Sequence, residues 1–156
     1  MGEPHYAQMI PASLLKDKAK QFSLLEENKH PHATKSEDEA RVVREGNEVH
    51  VYMTSIRTHF VPDNIEGVKV GDKVYFHVTN LEQDWDVPHG FAVLGARNSE
   101  LLVMPGETRT LLWEPQNVGV YPFYCTDFCS ALHQEMQGYI RVSPKSSPIQ
   151  ISYNQR

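Results

Sequence analysis

From residue 41 onward the chain alternates between apolar and polar positions. Val49, Val51 and Met53 are interleaved with His50, Tyr52 and Thr54, and Val74, Phe76 and Val78 with Tyr75, His77 and Thr79. A two-residue period puts one set on a buried face of a strand and the other on the opposite face. The pattern predicts strands over residues 41–43, 48–54, 74–79, 90–94, 108–113, 119–124 and 138–142. Glu45-Gly46-Asn47 reads as a hairpin connection, Val68 through Gly71-Asp72-Lys73 as a turn, and Met104-Pro105-Gly106-Glu107 as another. Short strands at this spacing predict an all-β domain, a sandwich or barrel. One helical stretch is plausible, residues 128–136, where Cys129, His133 and Met136 would share a face.

Residues 1–40 follow another grammar. Pro11 precedes a stretch, 12–25, that could form a helical turn or two, and residues 26–40 are polar and charged, the composition of a linker or a surface-hugging segment. The expected organisation is a linker over 1–40, one β-domain over 41–144 and a C-terminal tail over 145–156. His30 and His32, flanking Pro31, read as solvated. His50, His59 and His77 lie in or beside strand patterns that look like sheet edges, and are weak ligand candidates.

Composition narrows the class. The chain has 156 residues, 40% of them hydrophobic, and a net charge of -5, which suits one mildly acidic globular domain. It has no basic patch of the kind that binds nucleic acid and no apolar run long enough to cross a membrane. No signal sequence opens it, and Met1-Gly2 followed by Glu3-Pro4-His5 suggests an excised piece of a longer protein.

The chemistry concentrates in one run. Cys125, Cys129, His133 and Met136 follow the spacing C-x3-C-x3-H-x2-M, and both cysteines of the chain are in it. Thiolate, imidazole and thioether together suit copper, and two thiolates raise the prospect of two copper ions in one site. Three alternatives stay open at this point. A Cys125–Cys129 disulfide would close a tiny loop and stabilise little. A structural zinc site could use two cysteines and two histidines but has no use for the thioether. A mononuclear blue-copper site would leave the second cysteine unexplained. A second imidazole must come from elsewhere, and His89 is the best candidate: Pro88 fixes its approach and Gly90 permits close backbone contact.

Asp86-x2-His89-Gly90-Phe91, then Met104-Pro105-Gly106-Glu107-Thr108, then Gly119-x-Tyr121-x-Phe123-Tyr124-Cys125 through Met136-x-Gly138 resemble the binuclear copper (CuA) cupredoxin domain of the nitrous oxide reductase family. The resemblance covers about residues 40 to 143. It implies a cupredoxin-like Greek-key β-sandwich, with a ligand loop containing a short helical turn. It implies that Cys125 and Cys129 bridge two copper ions, that His89 and His133 cap one each, and that Met136 sulfur and the Asp127 carbonyl are weak axial donors. Many family members carry Trp where this chain has Asp127. Glu3-Pro4-His5 resembles the end of the family's propeller domain, where the matching histidine ligates the four-copper CuZ cluster. The other cluster histidines are absent, so no CuZ cluster is expected on this chain. The resemblance further implies a periplasmic parent enzyme that reduces nitrous oxide to dinitrogen and water. Electrons would come from a cytochrome c or a small cupredoxin and pass to the propeller domain of the partner subunit in a homodimer. The CuA domain of cytochrome c oxidase subunit II shares the C-x3-C-x3-H-x2-M spacing. Its preceding membrane helices have no counterpart in the hydrophilic linker here, and Ala131-Leu132-His133-Gln134-Glu135-Met136 fits the reductase better. Trp85, Asp84 and Asp86 are expected to form part of a donor docking edge.

Overall fold

The structure, a computed structural model, describes residues 28, 30–57, 59–84, 86–96, 100–126, 136–147 and 151–153. Eleven strands lie among these residues: β1 (Arg41–Glu45), β2 (Glu48–Ile56), β3 (His59–Val61), β4 (Asn64–Lys69), β5 (Lys73–Asn80), β6 (His89–Val93), β7 (Glu100–Val103), β8 (Thr108–Trp113), β9 (Gly119–Tyr124), β10 (Gln137–Ser143) and β11 (Ser152–Tyr153). One sheet runs β1-β2-β5-β8, with β3 also paired to β2, and the other runs β11-β4-β10-β9-β6-β7. Most ladders are antiparallel, but β2–β5 and β4–β10 are parallel. Parallel neighbours cannot be joined by a tight turn. The chain therefore crosses between the sheets, β3 lying on the first and β4 on the second.

The alternating pattern does what it predicts. Val49, Val51 and Met53 of β2 and Val74, Phe76 and Val78 of β5 face inward and are fully buried. They meet Phe91, Val93, Phe123, Ile140 and Val142 from the second sheet in one hydrophobic core. At its centre Phe60, Phe76, Phe91 and Phe123 interlock, with ring centroids 5.0–6.1 Å apart. Such tilted and edge-on pairs suit aromatic quadrupoles.

Four strands escape the sequence pattern. β3 is three residues long and ends at the Val61-Pro62 bond. β4 contains Gly67 at φ 99°, and its ladder to β10 shifts register between Ile140 and Val142. Val68 and Lys69, expected in a turn, therefore belong to a bulged strand, and the turn proper begins at Val70 and includes Gly71 at φ 90°. β7 and β11 are too short to show a period. β11 pairs antiparallel with β4, so residues 152–153 add to the second sheet. The helical turn expected over 128–136 and the one over 12–25 lie outside the described residues, save Met136. Among the described residues no helix is long and apolar enough to cross a membrane.

The edge assignment is overturned for His50 and His77 but not for His59, whose strand β3 pairs, among the described residues, with β2 alone. β2 and β5 are flanked on both sides, by β1, β8 and each other. Nor do His30 and His32 hang in solvent. Both are half-buried, and residues 30–40 lie on the first sheet, with Thr34 and Ala40 fully buried.

Candidate metal centre

His89 opens β6 and is fully buried. Its approach is fixed by Asn80, the last residue of β5. The buried Asn80 side chain donates to the carbonyls of Val87 (3.0 Å) and Val103 (2.9 Å), and its oxygen accepts from the Glu82 amide (2.8 Å). One side chain thus ties the start of the 81–88 loop, the residue two before His89, and the strand that pairs with β6.

Cys125 follows β9 directly, and Met136 precedes β10 directly. The β9–β10 ladder runs to Tyr124↔Gln137, and one further bond, from the Cys125 amide to the Met136 carbonyl at 3.1 Å, closes the neck. Both side chains are buried, at 2% and 1% exposure. Across the sheet, β9 also pairs with β6 through Ala92↔Tyr124. Adjacent ladders therefore bring Cys125 beside His89, and Cys125 Sγ lies 4.0 Å from His89 Nδ1.

The other ring nitrogen of His89, Nε2, is 2.8 Å from Glu82 Oε2. A carboxylate only accepts, so Nε2 carries the proton and Nδ1 is left to face sulfur. Burial alone pushes the His89 pKa down, but the contacts with Cys125 and Glu82 outweigh it and the net shift is upward. Burial likewise pushes Glu82 up, while bonds from His89 and the Arg57 amide outweigh it and hold the carboxyl lowered and ionised. Arg57 also ion-pairs Glu82 at 3.8 Å and Asp84 at 3.7 Å.

These residues fit a metal ion. Metal–thiolate and metal–imidazole bonds of about 2.3 and 2.0 Å sum to roughly 4.3 Å. The 4.0 Å gap is slightly shorter, so one ion at ordinary bond lengths can bridge the pair at an angle below linear. A carboxylate behind a ligating imidazole is the usual support for such a site. Of the six ligand candidates, His89, Cys125 and Met136 converge at the same end of the sandwich. Asp127, Cys129 and His133 lie outside the described residues, as does Trp85. Phe91 and Phe123 close the apolar wall behind His89 and Cys125, whereas Tyr124 turns outward, 36% exposed. Sequence reasoning missed Glu82 and Asn80. Each is a lone polar residue in or beside a polar loop, with no periodic signature.

No protein-family model matches the chain. It is 38% identical to nitrous-oxide reductase from Stutzerimonas stutzeri over 104 residues, which is 67% of this chain and 16% of that protein. It is 35% identical to cytochrome c oxidase subunit 2 from Thermus thermophilus over 102 residues, 65% of this chain and 71% of that protein. A chain in the cryo-EM structure of a heme-copper terminal oxidase dimer shares the fold, at a TM-score of 0.59 and 22% identity, with 74% of this chain and 75% of that one covered. The chain thus spans about a sixth of the length of the reductase it matches and most of the length of the oxidase subunit.

Proposed function

We propose a binuclear copper electron-transfer role for this chain, which belongs to the family of CuA-like cupredoxin domains shared by nitrous-oxide reductase and cytochrome c oxidase subunit 2. The observation that carries the reading is the buried meeting of Cys125 Sγ and His89 Nδ1 at 4.0 Å, with Glu82 holding the far side of the imidazole.

In this reading Cys125 and Cys129 would hold a copper pair through their thiolates, His89 and His133 would each supply an imidazole to it, and Met136 sulfur and the Asp127 carbonyl would be weaker donors. When bound, the copper pair supplies a one-electron carrier whose unpaired electron is shared across both metals. The chain's own residues hold that carrier still. Glu82 fixes the tautomer and tilt of His89, and the β9–β10 neck fixes Cys125 against Met136. Phe91 and Phe123 keep water from the pair and lower the local dielectric. A small change of geometry on oxidation and reduction follows from a rigid mount.

The domain proper spans 41–144, with 1–40 a linker and 145–156 a tail. The parent is a periplasmic nitrous-oxide reductase. A cytochrome c or small cupredoxin reduces the site, with Asp84, Trp85 and Asp86 at the docking edge. The electron goes on to a CuZ cluster on the propeller domain of a partner subunit. This chain relays electrons and reduces no substrate itself.

The test is copper loading followed by electron paramagnetic resonance. Hyperfine splitting shared over two copper nuclei is expected, lost in Cys125→Ser and in Cys129→Ser, with Met136→Leu mainly shifting the potential. Splitting from one nucleus, or colourless protein that binds zinc tightly, refutes the binuclear reading. A second reading, the oxidase subunit, is favoured by one observation: the match covers 71% of the Thermus thermophilus protein. Mixing the reduced chain with a nitrous-oxide reductase propeller, and separately with a heme-copper oxidase stripped of subunit 2, separates the two by which is reduced faster.

A further inference from the structure

Half of the chain's eight histidines, His30, His32, His50 and His77, gather on the outward face of the first sheet. His77 of β5 is the centre. Its ring stacks under His32 with centroids 4.0 Å apart, and its Nε2 lies 2.9 Å from His50 Nδ1 of β2. His77 Nδ1 meets Thr110 Oγ1 of β8 at 2.8 Å. On the far side, His50 Nε2 meets Glu48 Oε1 at 3.2 Å. His32 Nδ1 is 3.4 Å from the Tyr52 hydroxyl, and the His32 amide donates to His30 Nδ1 at 3.1 Å.

Residues 28 and 30–34 form the cover. Asn28 Nδ2 donates to the Gly106 carbonyl at 2.8 Å and lies 2.9 Å from Thr108 Oγ1. The Thr34 amide donates to Thr79 Oγ1 at 3.1 Å. Between these two anchors His32 lies flat on His77, which is only 2% exposed although it points away from the core.

We propose that this segment is a pH-sensitive clasp: it closes on the first sheet only while the imidazoles beneath it are uncharged, and acidification releases it.

The polar chain explains why. Glu48 only accepts, so His50 Nε2–H donates to it, His77 Nε2–H donates to His50 Nδ1, and Thr110 donates to His77 Nδ1. Glu48 at one end and the Thr110 hydroxyl at the other satisfy the outer ring nitrogens of that line, and the two neutral imidazoles satisfy each other. A proton added to His77 finds no carboxylate, only the Thr110 hydroxyl, and the charge sits beneath His32. The other charged or titratable groups on this face do not reverse this. Arg41 lies over Tyr52 at 3.9 Å and adds positive charge. Lys73 shares the strand face of Tyr75 and His77, and Tyr75 stacks on His50. Glu45 and Glu48 both face His50 rather than His77. Burial first, then His32, His50, His30 and Arg41, push His77 down to about 3. Burial, His30, His50 and Arg41 lower His32 as well.

The sign follows. Closure depresses these two pKa values, and opening returns them toward the ordinary value near 6.5. The open form therefore takes up protons that the closed form refuses, and opening is favoured as pH falls below about 6.5. One such proton shifts the equilibrium about tenfold at pH 5.5 relative to neutral pH, and two shift it further.

The Thr34 amide is the reporter, because its acceptor belongs to the sheet and not to the segment. Native-state hydrogen exchange of this chain at pH 7.5 and 5.5, normalised to intrinsic rates, should show Thr34 protection falling about tenfold or more, while Val51 in β2 keeps its protection. In His32→Phe/His77→Gln the drop should vanish. Should the double variant fail to fold, His32→Phe alone keeps the stacked ring without its charge and should hold Thr34 more protected at pH 5.5 than the parent. The proposal is overturned by pH-independent Thr34 protection, by an equal drop in the folded variants, or by Thr34 and Val51 losing protection together.

Discussion

Gly138 lies in β10, two residues past Met136, and its replacement by alanine tests the packing argument sharply. In an ordinary strand Gly→Ala stabilises by about 0.5–1 kcal/mol, because glycine loses more backbone freedom on folding. Here a Cβ would sit 2.4 Å from the Asp63 carbonyl oxygen and 2.5 Å from Phe123 Cζ. Neither neighbour can yield cheaply. The Asp63 oxygen accepts from the Tyr139 amide at 2.9 Å, and Phe123 is wedged among Phe60, Phe76 and Phe91. Overpacking costs about 1–3 kcal/mol, and two immobile neighbours put this site at the top of that range. The clash wins, and Gly138→Ala should lose about 2 kcal/mol net. At roughly 2–4 °C per kcal/mol for a chain of this size, the melting temperature should fall by about 4–8 °C. Urea denaturation is the assay, read as a lower midpoint at unchanged slope. In a Phe123→Leu background the penalty should shrink, since one of the two obstacles is gone. A midpoint at or above that of the parent would show that β10 has room at Gly138, and the reasoning would fail.

Three further outcomes are expected. Glu82→Ala removes the carboxylate behind His89 and should weaken copper binding about 10–100-fold in a chelator competition, with Glu82→Gln intermediate because its amide oxygen still accepts; equal affinities in all three would remove Glu82 from the site. Asn80→Ala strands the Val87 and Val103 carbonyls and should cost about 2–3 kcal/mol by urea denaturation, and a loss below about 0.5 kcal/mol would contradict its role as the tie for the 81–88 loop. Arg44 and Asp72 form a buried ion pair at 2.6 Å, with side chains 8% and 5% exposed. Asp72→Ala should cost about 3–5 kcal/mol and Arg44→Met/Asp72→Leu much less, whereas equal losses would mean that packing, not the uncompensated charge, carries the effect.

How much of this was legible in the sequence depended on whether a signal repeats. β2 and β5 alternate over three full periods, so their faces read directly. β4 carries a glycine bulge and pairs in parallel with a strand about 75 residues away in sequence, and no local pattern encodes a parallel partner. His89 was legible because Pro88 and Gly90 frame it. Glu82 was not, because a carboxylate earns its meaning only from what the fold sets 2.8 Å away. The histidines of the first sheet show the opposite error. The positions of His50 and His77 opposite the apolar set were read correctly, but β2 and β5 were taken for edge-like strands. The covering segment, which buries His77, comes from residues whose composition alone says linker.

The position of the site within the sandwich bears on its rigidity. Cys125 and Met136 are the two sides of one neck, joined by a backbone bond and continuing into a ladder that runs the length of β9 and β10. His89 is held by a different ladder and by Asn80. Three of the proposed ligands are thus fixed by main-chain pairing and a buried amide, independently of residues 127–135. A change within that loop, such as Asp127 in place of the Trp common in the family, leaves this frame in place. Electron transfer needs ligands that barely move when the charge changes. A frame built from adjacent, paired strands of one sheet gives that stiffness before any metal binds. For this reason Asp127→Trp should leave the binuclear signal intact, while Gly138→Ala, which disturbs the frame without touching a ligand side chain, should broaden it.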